Sequence, residues 1–122
     1  MMKTLAAAAV AILLGMGLSC PATAQLNELA RAGLDLTDKD WELLEAAASK
    51  LYLTEDQPVG AVETWSNAES GNRGKIELVR VGDFQQMPCR RLQHEIKMKD
   101  AADLFRFTVD RCRTSGGEWK VL

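Results

Sequence analysis

Apolar residues recur at helical spacing at Trp41, Leu44, Ala47, Ala48 and Leu51, then give way to alternation from Val59 onward. The first pattern puts one apolar stripe on a helix. Thr37-Asp38-Lys39-Asp40 supplies its start, because a threonine oxygen accepts from free backbone N–H groups and acidic residues suit the positive end of the helix dipole. The helix is predicted to end near Leu53, ahead of Asp56, Gln57 and Pro58. Three consecutive alanines, Ala46 to Ala48, keep the stripe thin enough to lie close on a sheet.

The alternating part reads as strands. Residues 61–65 form a short one, residues 66–72 a turn and residues 74–79 a second strand. Gly71-Asn72 reaches positive φ at little cost, which suits a hairpin. Residues 82–88 are expected to form a loop, with Pro88 placed where a strand begins because it lacks an N–H. Gly116-Gly117 marks a last turn before a short strand over residues 118–122.

The two intervening strands test each other. With Cys89 opposite Cys112 on antiparallel neighbours, Arg91 faces Asp110, Gln93 faces Thr108 and Glu95 faces Arg106. On the other side Leu92 meets Val109, His94 meets Phe107 and Ile96 meets Phe105. One assumed contact thus yields a charge-complementary face and an apolar face, and a slip of one residue destroys both. The connecting loop falls at residues 99–102, an ordinary length. The misfit is Arg90 opposite Arg111, expected at the open end where water separates the charges. The fold class is therefore α+β: one N-terminal helix packed on a four- to five-stranded antiparallel sheet, with one disulfide.

Ahead of this domain the chain begins Met1-Met2-Lys3, runs apolar over residues 5–18 and reaches Pro21-Ala22-Thr23-Ala24-Gln25. A positive start, an apolar core and a small-residue cleavage site make residues 1–24 a signal peptide. The apolar run is shorter than the roughly 20 residues of a membrane span. Residues 25–35 read as a tether and residues 36–122 as the domain. Cys20 has two fates: removal with the leader, or lipidation at the poor lipobox Gly17-Leu18-Ser19-Cys20. Removal leaves Cys89 and Cys112, an even pair for one disulfide in an oxidising compartment. That bridge closes a loop of about 24 residues and contributes on the order of 3 kcal/mol in the chain-entropy description.

The chain carries 15 Lys and Arg against 17 Asp and Glu, and neither sign forms a block. A nucleic-acid partner would want a basic face, and none is evident. Candidate chemistry is sparse. His94 is the lone histidine and falls on the apolar face, as a packed and hydrogen-bonded ring. The cysteines lack metal-ligand spacing, and once oxidised they offer no nucleophile. Neither a catalytic residue nor a cofactor or metal site is expected. Trp65 and Trp119 either form a flat recognition platform or close the two ends of a small core. Arg90 and Arg113 either bind an anionic group, or stack on the tryptophans and pair with Asp83 and Glu118. The glycine-rich stretch from Asn67 to Gly74 lacks the phosphate-loop lysine and a following helix, so it reads as a hairpin turn.

Several segments together carry a family resemblance: Leu36-Thr37-Asp38-Lys39-Asp40, residues 60–65 ending at Trp65, Asn67, Gly71-Asn72-Arg73-Gly74, Cys89-Arg90, Cys112-Arg113 and Gly117-Glu118-Trp119. The chain resembles the surface-antigen domain of proteobacteria, the type at the C-terminus of the small rickettsial outer-membrane surface antigen. The resemblance covers roughly residues 36–122. Three departures stand out. No glycine-zipper segment precedes the domain, Ala68 replaces the proline of W-x-N-P-x-[ST]-G, and Gly116-Gly117 replaces Asp-Gly before the last tryptophan.

The resemblance implies a non-enzymatic, exported cell-envelope protein in the periplasm or at the outer membrane of a Gram-negative bacterium. Its expected partner is an envelope protein or outer-membrane component, with membrane association through a lipid anchor only. The alternative is a soluble periplasmic binding module or inhibitor that docks on an envelope enzyme.

Overall fold

The computed structural model describes residues 34–122. Helix α1 spans Asp38–Tyr52, followed by strands β1 (Val62–Ser66), β2 (Arg73–Phe84), β3 (Met87–Lys97), β4 (Phe105–Arg113) and β5 (Trp119–Val121). The five strands form one antiparallel sheet in the order β1-β2-β3-β4-β5, so each pairs with its neighbour in sequence. The helix lies across one face, as the thin alanine stripe requires. Signal-peptide cleavage, the fate of Cys20 and most of the tether fall outside the described residues.

Thr37 caps α1 with a reciprocal box. Its hydroxyl accepts from the Asp40 N–H at 3.1 Å, and the Asp40 carboxylate accepts from the Thr37 N–H at 3.0 Å. Leu44, Ala47, Ala48 and Leu51 turn inward against Ile76, Leu78, Leu92, Ile96 and Val109. Removing one such leucine side chain from water stabilises the fold by about 1.5–3 kcal/mol. The opposite face of the sheet is polar and, among the described residues, covered by no other layer, as antiparallel sheets permit.

The β3–β4 register is the expected one, from Cys89↔Cys112 to Ile96↔Phe105. The Cys89–Cys112 disulfide ties this hairpin across its polar face, with Cα atoms 4.0 Å apart. It indicates an oxidising, extracytoplasmic environment. Among the described residues no helix is long and apolar enough to cross a membrane.

Two expectations need correction. The stretch 82–88 is not a loop: β2 runs to Phe84 and β3 starts at Met87, joined by Gln85-Gln86 with φ of 51° and 68°. Two consecutive left-handed residues give the twist a tight hairpin needs, here without glycine or asparagine. A bulge between Leu78 and Arg80 shifts the register. It moves the positions on the helix side of the sheet from Ile76 and Leu78 to Val81, which pairs with Arg90 but is itself 44% exposed, so the alternation does not continue in phase.

The second correction concerns Arg111. It does pair with Arg90 in register, but it is 1% exposed and lies under α1. Glu45 of the helix, rather than water, offsets its charge: Nη1 donates to Oε1 at 2.8 Å and Nη2 to Oε2 at 2.6 Å.

Candidate functional site

The sequence-predicted site residues separate to opposite ends of the sheet. At the N-terminal end of α1, Asp40 is fully buried and accepts four hydrogen bonds. Asn67 Nδ2 and Ser70 Oγ donate to Oδ1 at 2.8 and 2.7 Å, while Asn72 Nδ2 and the Thr37 N–H donate to Oδ2 at 2.8 and 3.0 Å. Burial opposes the charge. The bonds from Asn72, Ser70, the Thr37 backbone and Asn67 outweigh it and hold the carboxyl at about 2. Asp40 is therefore an ionised structural hub with its lone pairs occupied, unsuited to proton transfer.

The β1–β2 turn is shaped to reach this hub. Gly71 has φ +78°, and its N–H donates to the Asn67 carbonyl at 2.8 Å. Asn72 bridges onward, its Oδ1 accepting from the Lys99 N–H at 2.9 Å, so the β3–β4 loop is tied to the same point. Trp65 lies flat over Gly74, its cross-strand partner, and a Cβ there would stand 2.2 Å from the indole Nε1. Trp65, Asn67, Gly71, Asn72 and Gly74 thus form one assembly that welds helix to sheet. Trp65 closes this end of the core.

In the middle, His94 is buried and stacked on Phe107, with ring centroids 4.6 Å apart. It is packed as expected but not hydrogen-bonded. Among the described residues neither ring nitrogen has a hydrogen-bond partner. Burial, reinforced by the Arg111 charge, pushes the imidazole down to about 3. Beside it Tyr52 donates to Glu45 Oε1 at 2.8 Å, and its ring lies 4.4 Å from the Arg111 guanidinium carbon. Burial, with the Glu45 hydrogen bond and against the pull of Arg111, raises the phenol to about 12.

At the C-terminal end of α1, Arg90, Arg113 and Trp119 come together. The two guanidinium carbons lie 5.9 and 6.0 Å from the Trp119 ring, which tilts against Tyr52 at 5.4 Å. A cleft of about 240 Å³ opens here, with Glu55 and Asp56 also on its walls. Among the described residues neither arginine forms an ion pair, so the expected partners Asp83 and Glu118 do not engage them. Gly117 forms the turn before β5 with φ +91°, its N–H donating to the Thr114 carbonyl at 2.9 Å. Trp65 and Trp119 close different ends and share no platform.

A second hollow of about 260 Å³ lies on the polar face beside the disulfide, near Phe84 and Leu122. Its central charges satisfy each other: Arg91 donates to both Asp110 oxygens at 2.8 and 3.1 Å and holds that carboxyl below its usual range. Among the described residues no group of three or more His, Cys, Asp or Glu is placed to hold a metal ion.

Sequence reasoning missed Asp40 as a hub and missed the Glu45–Tyr52–Arg111 cluster. The capping-box spacing from Thr37 to Asp40 pointed to one of the four bonds on Asp40. The parity of β4, which places Arg111 on the side of Phe107 and Val109, marked the second. No protein-family model, curated protein or solved structure matches the chain.

Proposed function

We propose that this is a non-enzymatic, exported cell-envelope protein of the surface-antigen type, residing in the periplasm or at the outer membrane of a Gram-negative bacterium. The observation that carries the reading is the convergence of Asn67, Ser70 and Asn72 on Asp40, across 27, 30 and 32 positions of chain. Three of the segments that bear the resemblance meet in one buried knot. They behave as a single architectural unit, which supports treating their order and spacing as one signature.

The disulfide adds support for export. Two of the buried titratable groups, His94 and Asp40, are held respectively neutral and ionised by burial and by structural bonds.

Fractionation of the native host with intact mass of each fraction tests the proposal. The expected result is an oxidised chain, either starting at Gln25 or lipidated at Cys20, retained with the outer membrane or envelope. A reduced, full-length chain in the cytoplasm overturns it. The second reading, a soluble periplasmic binding module or inhibitor, is favoured by the cleft at Trp119, whose arginines have no ion-pair partner among the described residues. It predicts release by osmotic shock.

A further inference from the structure

We infer that the Arg90–Arg113–Trp119 cleft binds a small zwitterion, an amino acid or short peptide bearing both a free carboxylate and a free ammonium group. The inference rests on the chain acting as a non-catalytic binding domain and names the ligand class of that domain.

The cleft lining includes two cationic residues. Arg90 and Arg113 flank Trp119, and among the described residues the buried Nε of Arg90 has no hydrogen-bond partner. Guanidinium groups are planar forks that match a carboxylate in two-point fashion. The lining also carries anionic residues. Glu55 and Asp56 line the cleft just beyond the C-terminus of α1, where the helix dipole adds negative potential. Lys50, the basic residue of the last helical turn, is engaged elsewhere by Glu63 at 3.6 Å.

Among the described residues these opposite charges line one cleft without joining in an ion pair, which leaves both sets of donors and acceptors free for a third molecule. A simple anion would satisfy the arginines and be repelled by Glu55 and Asp56. A simple cation would meet the reverse. A zwitterion satisfies both, and Trp119 with Tyr52 offers an aromatic wall for its apolar portion. At about 240 Å³ the space is below the usual range for drug-sized ligands, so the ligand is small or is the end of a chain. The contrast with the hollow beside the disulfide is direct, since there Arg91 and Asp110 are already joined.

The test uses the full exported protein and ¹⁵N-resolved NMR of the Trp119 indole N–H. The probes are trialanine, its N-acetyl form, its C-terminal amide and inorganic phosphate. Trialanine is expected to shift the Trp119 signal saturably while leaving Trp65 unmoved. Blocking either terminus weakens binding about tenfold or more, and phosphate alone shifts the signal weakly. The exposed substitution Arg113→Gln lowers trialanine affinity by a similar factor with an unchanged fold. The double substitution Glu55→Gln with Asp56→Asn abolishes the preference over the N-acetyl form.

No saturable shift up to millimolar trialanine overturns the inference, as does equal binding of all four probes. Either result leaves the fractionation of the envelope protein untouched. Cleavage of trialanine during the titration would support the site and overturn the non-enzymatic reading instead.

Discussion

Arg111 and Glu45 join sheet to helix through two hydrogen bonds of 2.8 and 2.6 Å, across 66 positions of chain. Arg111 is 1% exposed and the Glu45 side chain 25%, so the arginine depends on this one carboxylate for its neutralisation. Glu45→Gln leaves a buried guanidinium uncompensated and should cost about 3 kcal/mol of unfolding free energy. Replacing both residues by apolar ones, Glu45→Leu with Arg111→Met, should cost much less than the single change. Urea denaturation of the three proteins measures this. A Glu45→Gln loss under about 1 kcal/mol would remove the pair from the stabilising set.

Asp40 carries the second helix–sheet joint. Asp40→Ala strands the amides of Asn67 and Asn72, both buried, and removes half of the capping box. Unsatisfied buried donors cost about 1–3 kcal/mol each, so the loss should reach about 3–5 kcal/mol. Thr37→Ala, which deletes the cap alone, should cost about 1 kcal/mol. Thermal unfolding ranks the two variants, and equal losses would mean that the asparagines find other acceptors.

His94 makes stability depend on pH. Its folded value of about 3 lies below the ordinary 6.5, so the unfolded chain binds the extra proton first. The contribution is fully present above about 6.5 and is lost as pH falls toward 3, by up to about 1.4 kcal/mol per pH unit. Asp40 acts in the same direction in a lower window, from about 3.8 down to about 2. His94→Leu should therefore flatten the denaturation profile between pH 6.5 and 4.5 while keeping the drop at lower pH. An unchanged slope in that variant would place the titrating group elsewhere.

Gly74 should tolerate no side chain while Trp65 covers it. Gly74→Ala puts a Cβ 2.2 Å from Nε1 and 2.6 Å from Cε2 of the indole, with no positive φ involved. Overpacking of this kind costs about 1–3 kcal/mol. In a Trp65→Phe background the pyrrole atoms are gone, and the same change should cost less. A double-mutant cycle in urea measures the coupling. A coupling near zero would show that the indole simply moves aside.

The legible parts of this fold were the periodic ones. The β3–β4 register followed from two alternating patterns that had to agree with one covalent tie, and the Thr37 cap followed from residue type and position. The Gln85-Gln86 turn was hidden because its left-handed backbone is held by the pairing of two long strands and not by glycine or asparagine. The Asp40 hub was hidden because its partners sit in an aperiodic turn, where spacing carries no information about direction. Arg111 looked like a solvated charge because its partner lies on a helix that sequence places in no rotational register with the sheet. At the cleft, residue types named Arg90, Arg113 and Trp119, but the presence of Glu55 and Asp56 in the same lining emerges only from tertiary geometry.

The sequential strand order has a kinetic consequence. Each strand pairs with the one just before it, so the sheet can be assembled from local hairpins without waiting for distant chain, the topology associated with rapid folding. Helix docking is different. Glu45 is made 66 positions before Arg111, so the helix cannot lock until β4 has arrived. For a chain that emerges N-terminus first, the apolar stripe of α1 remains without its final clasp until those 66 positions have followed it. Aggregation or capture of this domain should therefore concentrate in that interval, before β4 is in place, rather than after the hairpin is oxidised.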